Sequence, residues 1–569
     1  MKRLFNEHTK RITESLDGEW LFAIDPEDKG KASGWQVGFP DERRITVPSL
    51  WTAEPALASY EGVAWYRRDF YSDVGTVRIH FGAVMTYAEV WLDGEYLGSH
   101  YGGFCEFDFV KRIARKGKHI LTVRVDNSFD GHSIPQAFVD WYHHGGIPRS
   151  VTLEHLTGIT VVRNLLHYTV TPDLKAAEIR FDTELYNASD EPLTTQVRIS
   201  LDTLAFATPP ITVAAGESTH VKTAAMRFDN IRLWSPDSPE LYRLSTETDT
   251  DDLIDRVGFR KVEIEGGMLL LNGKSVELRG INRHEDHPDL GFALPEGLMM
   301  KDVSILKDLG ANSVRGSHYP NARPFLDMLD SNGILFWSEI PIWGEGFSES
   351  AIADEKIVSR GLEMHKEMLL HYYNHPSIII WGLHNEIRSD TDAAVKMTAA
   401  YYKTVKADGG NRIVTYATNH PLTDKCLDYC DVISVNDYHG WYNGDVAARK
   451  DFIASMLEYF DSLGHSAKPV ILSEFGAAAV YGHRDFDEGI WSENYQAKLL
   501  SETLNLLRSN PRFIGYYIWH FADARTSREA GLTRARGYNN KGILNEYRKP
   551  KAAYYAVRDI YRAPRSTES

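Results

Sequence analysis

The sequence predicts a multidomain β plus α/β protein: an N-terminal jelly-roll-like β-sandwich, an immunoglobulin-like β-sandwich, and a C-terminal TIM (β/α)8 barrel. Three observations predict it. A chain of 569 residues is too long for a single hydrophobic core, so several domains are expected. Roughly the first 260 residues are short alternating runs such as VRIHF, AEVWLDG and HILTVRVDN, separated by turn residues at close intervals, which is all-β punctuation. After LLLNGKSVELRG, apolar strands alternate with helical patterns, the rhythm of a parallel sheet with crossover helices.

The elements follow in order. A connector near LEHLTGITV divides the β part. Residues 1–157, rich in aromatics, form the larger sandwich, and residues 158–262, including TVTPDLKAAEIRFDTELYNASDEPLTTQVRISLDT, form the regularly alternating smaller one. Residues 263–569 hold the strands VELRGINRHE, NSVRGSHYP, GILFWSEIP, SIIIWGLHNE, RIVTYAT, VISVNDYHG, PVILSEFG and FIGYYIWHFAD. Between them lie the helical patterns LMMKDVSILKDLG, ARPFLDMLD, LEMHKEMLLHYY, AAVKMTAAYYKTVK, FIASMLEYFDSLG and YQAKLLSETLNLLRS. A count of eight βα units argues for a TIM barrel.

Composition narrows the function. A formal net charge of -16 gives no electrostatic footprint for nucleic acid or an anionic membrane. A few local cations can still attract an anionic substrate, because screening acts over about 8 Å. No run approaches the roughly 18 apolar residues needed to span a bilayer. The start, MKRLFNEHTKRITESLDGEW, carries basic residues with no apolar stretch behind them, so a cytoplasmic location is expected. Three cysteines, with Cys426 and Cys430 spaced C-x3-C, argue for reduced thiols rather than a disulfide framework. His143, His144 and the HEDH run at 284–287 lack the helical spacing and third ligand of a metal site, so no metal and no cofactor is expected.

Strand ends carry the chemistry. The run PSIIIWGLHNE is an apolar strand that ends in His384, Asn385 and Glu386, and in a TIM barrel the C-terminal strand ends open onto the active-site face. Glu285 and Asp286, His318, Glu339, Asp437 with Tyr438, Glu474, and Trp519 with Asp523 occupy equivalent places. One such acid could be a helix cap or a rim charge. A ring of them, without a Gly-rich phosphate loop, suits glycoside hydrolysis, which needs one protonated carboxylic acid and one carboxylate. Like charges at close range keep one of them protonated near neutral pH. Spacing alone does not say which two form the pair.

The segments LDGEWLF, DWYHHGGIPRSV, RGINRHED, GANSVRGSHYP, WGLHNE, NDYHGWY, ILSEFG, IWHFAD and NNKGILNEYRKPK make the chain resemble glycoside hydrolase family 2 over nearly its whole length, and within it the bacterial and animal enzymes that cleave β-glucuronides. The resemblance implies a retaining, exo-acting β-glucuronidase. Glu386 matches the acid/base and Glu474 the nucleophile, and Asn385 matches the residue that holds the sugar 2-hydroxyl. Retention requires carboxyl groups about 5 to 5.5 Å apart. Glu339 and Glu285 then become supporting or sugar-binding residues.

Asn539 and Lys541 in YNNKG match the motif that binds the sugar carboxylate, although Asn-Asn-Lys-Gly is also a good turn. A charged hydrogen bond of roughly 1.5 to 3 kcal/mol separates a uronide from a neutral hexoside. Arg534 and Arg536 lie just upstream. Tyr438 matches a tyrosine beside the nucleophile, Trp519 a tryptophan suited to a sugar's apolar face, and Asp140 an acid that the first sandwich projects toward the sugar. His318 either lines the sugar site or bonds within the barrel.

The implied partner is a glucuronide conjugate or a uronic-acid-terminated oligosaccharide, and a homo-oligomer, dimer or tetramer, is expected. The segment IWGEGFSESAIADEK is shorter than the loop that covers some relatives' sites, which predicts a more open pocket and poorer contact with small aglycones. A β-galacturonidase, a β-galactosidase, or a non-catalytic carbohydrate-binding protein on the same domains are the competing readings. The presence of both Glu386 and Glu474 speaks against the last.

Overall fold

The computed structural model describes residues 3–40, 43–344 and 346–565. Two sheets form the N-terminal sandwich, one of four strands and one of six, all paired antiparallel. Their inner faces bury Trp20, Phe22, Trp51, Tyr66, Phe81 and Leu121. Alternation explains the packing: in Val63–Ser72 and Gly117–Asp126, successive side chains take opposite faces of a paired ladder.

The second sandwich opens with the long hairpin Ile159–Val170 against Ala176–Asn187. Its core of Val161, Ile179, Phe181, Leu244 and Phe259 is separate from that of the first sandwich. Only Thr157 and Gly158 separate the last strand of the first sandwich, Val151–Leu156, from this hairpin. The two sandwiches therefore meet without a free linker.

The barrel closes on eight parallel strands: Leu278–Asn282, Ser313–Gly316, Leu335–Glu339, Ile378–Asn385, Ile413–Thr418, Ile433–Asn436, Val470–Phe475 and Phe513–Ile518. Each is one of the apolar runs read from the sequence. The fourth strand is buried along its full length, as expected between barrel interior and outer helices. Gly382 in it is required sterically, since a Cβ there would lie 2.4 Å from Trp337 Nε1 and 2.7 Å from the Glu339 Cβ.

The helical layer departs from a regular eightfold pattern. Residues 419–432 join the fifth and sixth strands through a single 3-10 turn, Leu427–Tyr429. That stretch, NHPLTDKCLDYCD, is short, carries a proline and has no apolar stripe to bury. A closing helix, Ala552–Arg562, which the sequence reading did not single out, packs its Tyr554, Val557 and Tyr561 against the barrel.

Charged side chains seal the seams between domains. Arg3 binds Asp327 of the barrel at 2.7–3.0 Å and Asp255 of the second sandwich at 3.1 Å. Asn374 after the fourth helix region of the barrel donates to Asn164 O and to Asp255 at 2.8 Å. Arg149, in the HHGGIPRSV segment of the first sandwich, reaches Glu285 Oε2 at 3.0 Å, Phe104 O at 2.6 Å and Pro320 O at 3.0 Å. Glu285, a strand-end acid, is therefore tied to the neighbouring domain, and its other oxygen accepts from Ala322 N at 3.0 Å.

Removing one partner of such a buried pair strands the other charge. Arg149→Met is expected to destabilise the chain by about 3–5 kcal/mol, read as an earlier urea transition, with partial recovery in Arg149→Met/Glu285→Gln. An unchanged midpoint in the single variant would remove Arg149 as a domain tie.

Candidate active site

A cavity of about 520 Å³ opens at the C-terminal ends of the barrel strands. Its wall includes Glu386, Glu474, Asn436, Tyr438 and Trp519 from the barrel, Arg534 and Lys541 from the last loop, and Phe138 and Asp140 from the first sandwich.

Each carboxylate is delivered by backbone geometry. Glu386 follows the fourth strand at φ +52°, a left-handed conformation that costs a non-glycine residue of order 1–2 kcal/mol. Its amide donates to Ala417 O on the fifth strand at 2.9 Å, which pins the turn. Glu474 lies within the seventh strand, Val470–Phe475, and faces the barrel interior.

Arg315 lies at the centre. Fully buried, it forks onto both oxygens of Glu339 at 2.9 and 3.0 Å, reaches Glu474 Oε1 at 2.8 Å, and donates to Asn385 Oδ1 at 2.7 Å. Its guanidinium also lies 4.6 Å from the Trp337 ring centre. Asn436 Nδ2 donates to Asn385 Oδ1 at 3.1 Å and to Glu386 Oε1 at 2.8 Å. With two donors on its oxygen, the Asn385 amide is oriented unambiguously. Its buried Nδ2 has no partner among the described residues and is a donor held ready for a ligand hydroxyl.

The two cavity glutamates differ in their surroundings. Burial, and then the charge of Glu474, push the Glu386 carboxyl up to about 8. Burial raises Glu474 to about 7, with Arg315 and the Tyr438 hydroxyl, 2.8 Å from Oε2, pulling the other way. Glu474 is thus the better anion and Glu386 the better proton carrier. Glu339, raised by burial against the pull of Arg315, is engaged by Arg315 through both oxygens.

A second polar corner lies on the same wall. Lys541 is 1% exposed, its Nζ donates to the Tyr442 hydroxyl at 2.7 Å, and it faces the rings of Tyr438, Trp441 and Tyr442. Among the described residues no carboxylate pairs with it. Burial lowers its affinity for a proton. Beside it, Asp140 Oδ2 accepts from Arg534 at 2.8 Å and from Asn539 Nδ2 at 2.6 Å, leaving buried Oδ1 without a partner among the described residues. Asn539 Oδ1 accepts from the Lys541 amide at 3.2 Å.

The residues singled out from the sequence fall into two groups. Asp140, Glu386, Tyr438, Glu474, Trp519 and Lys541 line the cavity. His318, Asn385 and Asn539 sit directly behind it: His318 is fully buried, bonds Glu339 Oε1 at 2.7 Å and stacks on Trp519 with ring centres 5.1 Å apart. Burial and Arg315 hold His318 neutral.

Of the remaining acids, Asp437 is held by Arg449 at 2.7 Å, and Asp523 by Lys551 at 2.7 Å. Sequence reading missed Arg315, Asn436 and Tyr442. The signal for Arg315 was present in NSVRGSHYP, where an arginine on a barrel strand must meet carboxylates inside.

Among the described residues, two groups of potential metal ligands, His8 with Asp251 and Asp252, and Asp327 with Asp330 and His375, lie away from the cavity. Their carboxylates are engaged: Asp252 by the amides of Thr9 and Lys10, Asp327 by Arg3, and Asp330 by His375. His144 bonds Thr52 at 2.8 Å, and His284 bonds Tyr319 at 3.1 Å.

Comparison with known proteins agrees with this architecture. Residues 13–157 match the sugar binding domain of glycosyl hydrolases family 2, residues 162–260 match a further family 2 domain, and residues 262–564 match its TIM barrel domain. A β-glucuronidase of Paenibacillus borealis is 28% identical, with 96% of each chain covered. A β-galacturonidase from Eisenbergiella tayi, solved bound to galacturonate, is 36% identical with a TM-score of 0.92 over 99% of each chain. The Ruminococcus gnavus β-glucuronidase, solved with uronic isofagomine, is 26% identical with a TM-score of 0.86 over 99% of each chain. With more than half its length in the barrel domain match and the other two domains in the same order, the chain belongs to glycosyl hydrolases family 2.

Proposed function

We propose that the chain is a retaining exo-glycosidase that hydrolyses terminal β-D-glucuronides. The observation that carries the uronide reading is Lys541, a buried ammonium on the wall of the cavity that holds Glu386 and Glu474, whose one polar side-chain partner among the described residues is the Tyr442 phenol. A buried cation without a counter-charge is costly. A sugar carboxylate entering beside it supplies that charge, and a neutral hexose does not.

The reaction then runs in two displacements. Glu474 attacks the anomeric carbon while the Glu386 proton passes to the glycosidic oxygen, so the C–O bond to the leaving group breaks as an ester to Glu474 forms. Glu386, now an anion, takes a proton from water. The water oxygen bonds the anomeric carbon, and Glu474 leaves as a carboxylate. The hydrogen bonds from Arg315 and Tyr438 stabilise Glu474 as an anion both before attack and as it departs. The free Nδ2 of Asn385 is suited to the 2-hydroxyl, where hydrogen bonds strengthen toward the transition state.

A β-galacturonide is the second reading, favoured by the 36% identity to the galacturonate-bound structure. The two sugars differ only at C4, and Lys541 serves the carboxylate of either. Comparing kcat/KM for 4-nitrophenyl β-glucuronide, β-galacturonide and β-galactoside decides between them, and a dominant galactoside rate would end the uronide proposal.

The working form needs Glu474 charged and Glu386 protonated. Activity therefore rises as pH climbs through the lower value of the coupled pair, about 7, and falls through the upper, about 8. The expected kcat/KM profile is a narrow bell, and Glu386→Gln, assayed on a good leaving group, should lose its alkaline limb. Retention of that limb would assign it to another group. Lys541→Ala should lower kcat/KM on the preferred uronide by about 10- to 150-fold with little change on the galactoside; equal losses on both would refute carboxylate recognition.

A further inference from the structure

Lys541 reaches the cavity from a loop that has little regular structure of its own, the two-residue strand Tyr538–Asn539 followed by a turn. Such a loop holds a side chain in place only if its backbone is fixed from behind. Two buried side chains outside the cavity wall are built to do this.

Lys551 is fully buried, and its Nζ donates to Asn540 O at 2.9 Å, Asp523 Oδ1 at 2.7 Å and Ala479 O at 2.7 Å. These acceptors belong to three segments: the residue just before Lys541, the loop after the eighth strand, and the loop after the Glu474 strand. Asp523 Oδ1 also accepts from Gly542 N, the residue just after Lys541, at 3.1 Å.

Gln496, on the helix Glu493–Arg508, is equally buried. Its Nε2 faces the carbonyls of Ala477, Lys541 and Gly542 at 2.8, 3.2 and 3.1 Å. Gly542 is also pressed against the loop after the eighth strand, where a Cβ would lie 2.3 Å from Asp523 N and 2.5 Å from the Ala522 carbonyl carbon.

We infer that Lys551 and Gln496 are positioning residues for carboxylate recognition: they fix the backbone on both sides of Lys541 and tie it to the loop that follows the Glu474 strand. Neither touches the sugar. The inference rests on the uronide reading of the cavity and adds to it the groups that set where the ammonium stands relative to the glutamates. Lys551 suits the role because an ammonium has three donors and here meets three acceptors. Gln496 adds a neutral clamp that can be removed without stranding a charge.

The test is steady-state kinetics on the full chain with 4-nitrophenyl β-glucuronide, β-galacturonide and β-galactoside, for wild type, Gln496→Met and Lys551→Gln, alongside thermal midpoints. Gln496→Met is expected to raise KM for the preferred uronide about tenfold, with kcat within about twofold and the galactoside kcat/KM unmoved. Lys551→Gln is expected to act in the same direction and more strongly.

A variant that loses midpoint and all three activities in parallel would assign a merely structural role and overturn the inference, as would a Gln496→Met enzyme with wild-type KM. If Lys551→Gln does not fold, Gln496→Met decides alone. Failure of the uronide reading is separately visible, because wild type itself would then show no preference for either uronide.

Discussion

The site depends on one cation. Arg315 is the only guanidinium that contacts both Glu339 and Glu474 among the described residues, and through Asn385 and Asn436 its field extends to Glu386. Several carboxylates gathered in a buried barrel end cannot all ionise unaided. Arg315 resolves this unequally: it takes both oxygens of Glu339, shares Glu474 with Tyr438, and does not touch Glu386. In the proposed reaction, that asymmetry divides the attacking carboxylate from the carboxylic acid that donates its proton.

The three domains matter to chemistry because the first one completes the cavity. Asp140 crosses from the N-terminal sandwich to meet Arg534 and Asn539 of the last barrel loop, and Arg149 crosses to Glu285 and the backbone of Pro320. Strand-end acids that are not free to act as catalysts thus become structural: Glu285 as a domain tie, Asp437 and Asp523 as loop anchors. The same residue type at the same topological position takes different roles according to the cation that meets it.

Much of this was legible in the sequence. Periodicity gave all eight barrel strands, because a strand buried on both faces must be continuously apolar, and Glu386 and Glu474 were visible as acids at the ends of such runs. The sequence shows no helical pattern between RIVTYAT and VISVNDYHG, and the proline-bearing stretch there forms only the turn Leu427–Tyr429. Arg315 was legible only in part: NSVRGSHYP places an arginine on a barrel strand, but which carboxylates it meets depends on residues of the other strands.

His318 shows the same limit. Sequence left open whether it lined the site or bonded within the barrel, and only the packing against Glu339 and Trp519 locates it behind the wall. Lys551 and Gln496 were beyond reach for a related reason. Their partners are backbone carbonyls of distant segments, and no side-chain pattern announces those.

In the proposed reaction, Arg315 leaves Glu474, and not Glu339 or Glu386, as the attacking carboxylate. A 2-deoxy-2-fluoro-β-D-glucuronyl fluoride tests this directly, since the fluorine at C2 slows breakdown of the ester while the fluoride leaving group still allows it to form. Intact-mass analysis followed by peptide mapping should find one sugar per chain, on Glu474. A label on Glu339 or Glu386 would contradict the account.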